Sequence, residues 1–324
     1  MQKYIAGGAI TLIICIVLLG IAHSSSTYVS RPFRPSITAS IPEVDHSPIL
    51  LAPVPAASAP RPAVIIPAKT EIATPVSPIT AGAYLVGNAE TGEVYVSKNT
   101  KTVGPIASIS KLFTALVAQT AMDPNQTITI TQRMLDVYPN AYGFSLGEKF
   151  TLSDLLYPLL VQSNNNVAEG IAQTYGYDMF IFKMNSLALS LGLTRTHFED
   201  ASGLSDSNIS NAQDLFTFGR FLYTSKRPLL TLTTTYSWNF ASTTEHSSHS
   251  ILSTDPFIGD PHLVGGKTGR TDAAGETMLT IFNYALNGKN YPIAIVVLHS
   301  DPGQRQNDSV RLLFQAIAVI NSKK

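Results

Sequence analysis

Eleven of the 20 prolines in this 324-residue chain fall between Pro32 and Pro78. Proline lacks an amide hydrogen and fixes φ, so a stretch this rich in it can supply neither a helix interior nor a central strand. Segments such as Ala52–Pro62 and Ala73–Pro78, dominated by Pro, Ala, Ser and Thr, bury too little apolar surface to fold and favour extended polyproline conformations. Residues 24–79 therefore read as a linker. Nothing in it suggests binding chemistry, so a passive spacer is expected. Extended at ~3.1 Å per residue, such a segment reaches beyond about 100 Å.

The linker separates two unlike parts. Before it, Tyr4–Ala22 runs for 19 residues without a charge, preceded by Lys3. That is about the length a helix needs to cross a bilayer core. It also exceeds the usual apolar region of a cleavable signal. Residues 1–23 are expected to be a transmembrane anchor. A signal cut after Ser24 is the alternative, because Ala22 and Ser24 are small residues at the right separation. Cys15 follows Ile14 where a lipoprotein signal wants a small residue. Lys3 and the amino terminus against Arg31 and Arg34 lean toward an inward N-terminus. In either case the remainder is expected outside the cytoplasmic membrane, where a long spacer suits work in a bacterial cell wall.

After the linker, residues 80–324 are expected to form one folded domain. The chain carries 22 Lys+Arg against 22 Asp+Glu, a balance that argues against a nucleic-acid partner. A hydrophobic fraction of 44% gives enough apolar surface for a core and rules out wholesale disorder. The single cysteine excludes a disulfide framework and a Cys-based zinc site.

Ala83–Val86 and Glu93–Ser97 read as a hairpin around a turn-rich Asn88–Gly92. Ser108–Thr120, Ser153–Leu160, Asn166–Tyr175, Met179–Leu191 and Ala212–Tyr223 have helical spacing. Gly192 stands where a C-cap glycine belongs. Leu263–Thr268, Thr277–Asn283 and Tyr291–His299 are strand-like, with Pro292 at the start of the last. Gln304–Ile320 closes the chain as an amphipathic helix. Strands at both ends with helices between them predict an α+β fold. Its antiparallel sheet is built from N- and C-terminal segments, flanked by helices, with an all-helical cluster inserted.

Three short motifs carry chemistry. Ser108-Ile109-Ser110-Lys111 is an S-x-x-K at a helix start, where one turn brings the serine and lysine together. A buried, neutral lysine can take a hydroxyl proton, and the Ser108 amide at a helix N-terminus can donate to an oxyanion. Taken alone, a serine N-cap followed by a solvated lysine explains the pattern as well. Ser163-Asn164-Asn165 is an S-x-N between helices. Its hydroxyl and amide can face one pocket, or can simply cap a helix. Lys267-Thr268-Gly269 lies on a strand after Gly265-Gly266. Alternation puts Lys267 and Gly269 on one face and Thr268 on the other, so the Thr268 hydroxyl would need a local twist to join them. Lys267 offers a positive charge for a carboxylate, and glycine lets a substrate backbone approach.

S-x-x-K, S-x-N and K-T-G in this order resemble the signature of the penicillin-binding proteins and serine β-lactamases. The chain is most similar to the D-alanyl-D-alanine carboxypeptidases among the low-molecular-mass penicillin-binding proteins. The likeness extends to Gly87–Val94, Pro105–Ser108, Gly147-Glu148 with Leu152–Leu160, and Leu191-Gly192-Leu193. Phe198, Ser202-Gly203-Leu204, Ala212–Leu215 and Gly269–Asp272 fit as well, covering roughly residues 80–320. The resemblance implies Ser108 as acylated nucleophile and Lys111 as its base. Ser163 would relay a proton to the leaving amine, and Asn165 would hold substrate and Lys111. Lys267, Thr268 and Gly269 would form the binding strand for a D-alanyl-D-alanine carboxylate of a peptidoglycan pentapeptide. The amides of Ser108 and Arg270 would make the oxyanion hole. β-Lactams are the expected inhibitors, and neither metal nor organic cofactor is implied.

The chain departs from that family in three places. Asn164 stands where a small residue is common, and Ser247–Leu252 stands where an Asn-rich stretch is expected. A C-terminal β-rich domain with a membrane-binding tail is not expected after Lys324, which leaves attachment to the N-terminal segment. Rival readings are a class A-like β-lactamase, a D,D-endopeptidase or transpeptidase, and an idle wall-binding module. Against the first, none of Glu169, Glu199 and Glu245 has Asn four residues on. Glu245, His246 and His249 invite a zinc reading, but their Ser/Thr-rich surroundings predict a solvated loop.

Overall fold

A computed structural model describes residues 78–137, 143–286 and 288–323. The expected anchor and nearly all of the expected linker lie outside the described residues. Among the described residues no helix is long and apolar enough to cross a membrane.

The two ends of the folded part meet in one five-stranded sheet. Its order is Val94–Lys98, Ala83–Asn88, Lys289–Ser300, Gly275–Leu286, Leu263–Thr271, antiparallel throughout. The N-terminal strand runs beside the C-terminal one, from Ala83 opposite Leu298 to Asn88 opposite Ile293. Both faces are covered, which is why Ile293–Leu298 is a continuous apolar run rather than an alternating one. Ile293, Ile295 and Val297 pack with Leu312, Leu313, Ala316 and Ile320 of the last helix, Arg305–Ser322. Ala294, Val296 and Leu298 face the helical cluster. The expected α+β architecture is what the chain adopts.

Asp308 ties down the segment that leads into the strand Ala83–Asn88. Its carboxylate, fully buried, accepts from the Thr80 and Ala81 amides and from the Thr80 and Ser300 hydroxyls at 2.7 to 3.0 Å.

The helix Ser110–Ala121 runs through the centre of the inserted cluster, and its first nine residues are all buried. Phe113 stacks on Phe218 with centroids 3.6 Å apart and tilts against Phe198 at 4.7 Å. Around it lie Leu152–Leu160, Asn165–Tyr175, Tyr177–Ser190 and Ala212–Ser225. These bounds lie within about two residues of those expected from sequence.

Three local readings change. The helix expected from Ser108 begins as a 3-10 turn, Ala107–Ile109, and becomes α-helical at Ser110. A helix not foreseen, Arg227–Thr233, carries Pro228 in its first turn, where the missing amide hydrogen costs nothing. The stretch expected to be a solvated loop is instead partly ordered against the core. His249 opens a strand, His249–Leu252, paired with Ser237–Phe240, and lies beside the buried Glu148, with its Nε2 2.9 Å from Oε1. Two further hydrogen bonds, from the Ser247 amide and hydroxyl, reach the same carboxylate.

Candidate active site

Lys111 is the centre of the site. It projects from the first turn of the central helix and has no solvent exposure. The 3-10 turn before it places residues three apart almost in eclipse, so Lys111 Nζ lies 2.8 Å from Ser108 Oγ. The amine also meets Asn165 Oδ1 at 2.7 Å and the Ser202 carbonyl at 2.5 Å. Three distant parts of the chain therefore converge on one nitrogen.

These partners decide what the nitrogen can do. Both carbonyl oxygens can only accept, so they take two N–H donors. A neutral amine has two N–H bonds and one lone pair, which leaves the lone pair for the Ser108 hydroxyl proton. Burial lowers the Lys111 pKa to about 7, with the charges of Asp200 and Glu169 opposing the shift through space. A sizeable fraction of neutral amine is thus present near neutral pH.

The turn carrying Ser108 is held on all sides. Ala107 has φ +48, a region that non-glycine residues seldom occupy. The Ile106 amide donates to the Asn208 carbonyl at 3.0 Å, and Thr277 Oγ1 donates to the Ile106 carbonyl at 3.1 Å. Asn208 Nδ2 donates to Ser110 Oγ at 3.1 Å, and Ser110 Oγ to the Ala107 carbonyl at 2.8 Å. Asp200 gathers the amides of Ser202, Gly203 and Ser205, which fixes the Ser202 carbonyl over Lys111. Gly203, with φ +82, leaves no room for a side chain, because a Cβ would fall 2.0 Å from the Ala107 carbonyl oxygen. Sequence reading did not assign Asp200, Ser202 or Asn208 to the site.

In the S-x-N motif the roles separate. Asn164, wholly buried, caps the helix Asn165–Tyr175 by accepting from the Val167 amide at 3.0 Å. Capping therefore falls to the middle residue, which leaves Asn165 free to meet Lys111. Ser163 is half-buried and held at φ +64, a strained backbone for a non-glycine residue. Glu169, one turn beyond Asn165, is buried behind the lysine. Burial and the Asp200 charge raise its pKa, against hydrogen bonds with Ser202 and Tyr177 and the charge of Lys111.

Lys267, Thr268 and Gly269 lie on the edge strand Leu263–Thr271. Gly265, at φ +145, presses against the Leu230 carbonyl, and the Gly266 amide donates to Thr233 Oγ1 at 2.9 Å. The unforeseen helix Arg227–Thr233 thus sets the strand's position. A Cβ on Gly269 would lie 2.9 Å from the Ser108 amide nitrogen, so this strand passes directly over Ser108. Thr268 is paired with Met278, which packs under the last helix; its hydroxyl lies 3.5 Å from Thr254 Oγ1, on the face opposite Lys267, as alternation predicts. Lys267 is buried, and its Nζ donates to the Thr268 carbonyl at 2.9 Å. Arg270 is exposed beside the strand's end. Arg305, also unforeseen, donates from Nη1 to the Gly269 carbonyl at 2.9 Å and adds a second cation near Lys267.

His246 and His249 do not converge. The first stacks on Phe150 with centroids 4.4 Å apart, while the second turns to Glu148. Among the described residues no group of three His, Cys, Asp or Glu side chains has the geometry to hold a metal ion.

A family model described as D-alanyl-D-alanine carboxypeptidase matches residues 69–301, most of the chain and all three motifs. The chain belongs to this family. A D-alanyl-D-alanine endopeptidase of Escherichia coli K12 is 35% identical over 71% of this chain and 76% of its own length. The D-alanyl-D-alanine carboxypeptidase DacB2 of Mycobacterium tuberculosis is 31% identical over 72% and 81%. A solved D-alanyl-D-alanine carboxypeptidase from Mycobacterium tuberculosis H37Rv has a TM-score of 0.66 at 28% identity, covering 75% of this chain and 92% of that one. The Streptomyces K15 DD-transpeptidase shares the fold at a TM-score of 0.66 and 24% identity, over 75% of this chain and 98% of its own. The chain is thus a serine peptidase of the D-alanyl-D-alanine carboxypeptidase family.

Proposed function

We propose that this carboxypeptidase removes the terminal D-alanine of peptidoglycan stem peptides through an acyl-enzyme on Ser108. The observation that carries this reading is the convergence of Ser108, Asn165 and Ser202 on the Lys111 amine. Ser108 Oγ attacks the carbonyl of the penultimate D-alanine while its proton passes to the Lys111 lone pair. The developing oxyanion is met by the amides of Ser108 and Arg270. Glycine at 203 and 269 leaves that side of the Ser108 amide uncovered. The C–N bond then breaks, and the departing amine takes a proton from Lys111 by way of the Ser163 hydroxyl. Water hydrolyses the ester with Lys111 again as base, which restores both groups.

Lys267 receives the substrate's terminal carboxylate, with Arg305 adding positive charge and Thr268 contributing backbone. The edge strand offers unpaired backbone groups along which an extended peptide can lie. β-Lactams enter the same site as acylating inhibitors. Residues 1–23 anchor the protein in the bacterial membrane, and residues 24–79 space the catalytic domain, 80–324, away from it on the outer side.

Incubation with a fluorescent penicillin, followed by intact mass, tests this account. A one-to-one adduct that persists, and that Ser108→Ala abolishes, is expected. No adduct with penicillin left intact would overturn it. The endopeptidase name of the Escherichia coli relative supports a second reading, cleavage of cross-links by the same acyl-enzyme. D-alanine release from a pentapeptide, set against cleavage of a cross-linked dimer, ranks the two.

A further inference from the structure

Thr277 lies fully buried on the strand Gly275–Leu286, and none of the steps above uses its hydroxyl. Its neighbour Met278 packs under the last helix, while Thr277 turns the other way, toward the turn that carries Ser108. Its Oγ1 donates to the Ile106 carbonyl at 3.1 Å. The same oxygen lies under Gly269, the cross-strand partner of Thr277, where a Cβ would fall 2.5 Å from it and 2.9 Å from the Ser108 amide nitrogen. One hydroxyl from the sheet therefore grips the turn beside an amide assigned to the oxyanion hole.

The two amides of that hole come from different elements. Ser108 belongs to the 3-10 turn and Arg270 to the edge strand. Donors stabilise an oxyanion only if they are aimed at one point before the charge develops, so the turn must be held against the sheet. Ala107 joins the planar Ile106–Ala107 peptide to Ser108 at φ +48, a conformation that persists only where its surroundings impose it. Thr277 fixes the carbonyl of that peptide, and the Ala107 angles then set the direction of the Ser108 amide. The other donor to the Ile106 carbonyl, the Ile109 amide at 3.3 Å, belongs to the same turn and cannot tie it to the sheet. On the strand side, Arg305 donates from its amide to Glu276 Oε2 at 3.3 Å and from Nη1 to the Gly269 carbonyl at 2.9 Å. The last helix thus holds the two strands together next to Arg270.

We propose that Thr277 is a positioning residue for the oxyanion hole, its hydroxyl setting the Ser108 amide against the Arg270 amide across the gap between turn and sheet. This rests on the reading of Ser108 and of the two amides given above. Ser108 and Lys111 ride on one turn of chain, so their mutual geometry does not depend on this bond.

The test uses the full chain and measures D-alanine release from a D-alanyl-D-alanine peptide. Inhibition by a peptide boronic acid is measured in parallel. Its tetrahedral adduct with a serine hydroxyl puts an oxygen where the oxyanion develops, and so reports transition-state binding. Thr277→Val keeps the shape of the side chain and removes the hydroxyl, whereas Thr277→Ser keeps the hydroxyl. Acylation and deacylation both pass through an oxyanion, so Thr277→Val is expected to lower kcat about tenfold or more, short of the roughly 10²- to 10³-fold loss of a deleted donor. Boronic acid inhibition should weaken by a similar factor, with KM within about twofold and the pH dependence of the rate unmoved. Thr277→Ser should restore most of the loss. Thermal melting checks the fold, and Thr277→Ala replaces Thr277→Val if the latter does not fold. A smaller loss in kcat, undiminished boronic acid inhibition, or a Thr277→Ser protein as slow as Thr277→Val would each overturn the proposal. So would a shifted pH dependence, which would move the role to the Ser108–Lys111 pair. If Ser108→Ala still releases D-alanine, the reading of Ser108 fails, and this inference with it.

Discussion

Lys111 and Glu148 are both taken out of water, and burial disfavours the charged form of each. The outcomes are opposite. Burial raises the Glu148 pKa, but hydrogen bonds from the Ser247 hydroxyl, the Ser145 and Ser247 amides and His249 outweigh it and bring the value down to about 2. Lys111 has two carbonyls and a hydroxyl around it, and no anion among its hydrogen-bond partners. Its pKa therefore falls to about 7. A buried charge surrounded by donors of matching polarity stays charged and serves as a structural tie. One left with neutral acceptors is poised to change its protonation state, which general-base work requires.

The comparison is sharpened first at the lysine. Lys111→Ala should cost about 10²- to 10⁴-fold in the rate of Ser108 acylation by penicillin, the usual range for a lost general base. A stopped-time adduct assay reads it directly. A loss under tenfold would mean that Lys111 is not the base and would break the contrast.

Glu148 should behave in the reverse way. Glu148→Ala leaves the Ser145 and Ser247 donors unpaired and should cost about 2 kcal/mol of stability, with the acylation rate per folded molecule nearly unchanged. Because the folded-state pKa is depressed from 4.5 to about 2, the carboxylate's contribution is present above pH 4.5 and is lost as pH falls through about 2. The gap in denaturation midpoint between parent and variant should close over that window. A gap that persists at the acid end would assign the effect to packing instead of charge.

How far the sequence could be read follows the same division. Ser108, Lys111, Asn165 and Lys267 were legible because chemistry needs particular side chains at fixed spacings. The sheet was legible because strands such as Tyr291–His299 are apolar on both faces. Ser202 left no such trace, since it acts through a backbone carbonyl that any residue possesses. Asp200 fixes that carbonyl from two residues away through backbone amides of its own loop, and Asn208 ties down the Ser108 turn from 98 residues away in sequence, a separation no local pattern reports. The helix Arg227–Thr233 was too short, and too rich in threonine, to register as periodic. The Ser and Thr neighbours of His249 predict a solvated loop, yet one of them, Ser247, is among the donors that hold Glu148. Asn164 appeared only as a departure from a small residue, whereas its side chain is the helix cap.

The most direct test of the account is the pH dependence of Ser108 acylation by a β-lactam, followed by intact mass. If the Lys111 lone pair takes the serine proton, the rate should be level above neutrality and fall tenfold per unit once pH drops below about 7. A rate that stays level down to pH 5 would contradict it, because a protonated lysine has no lone pair with which to accept that proton.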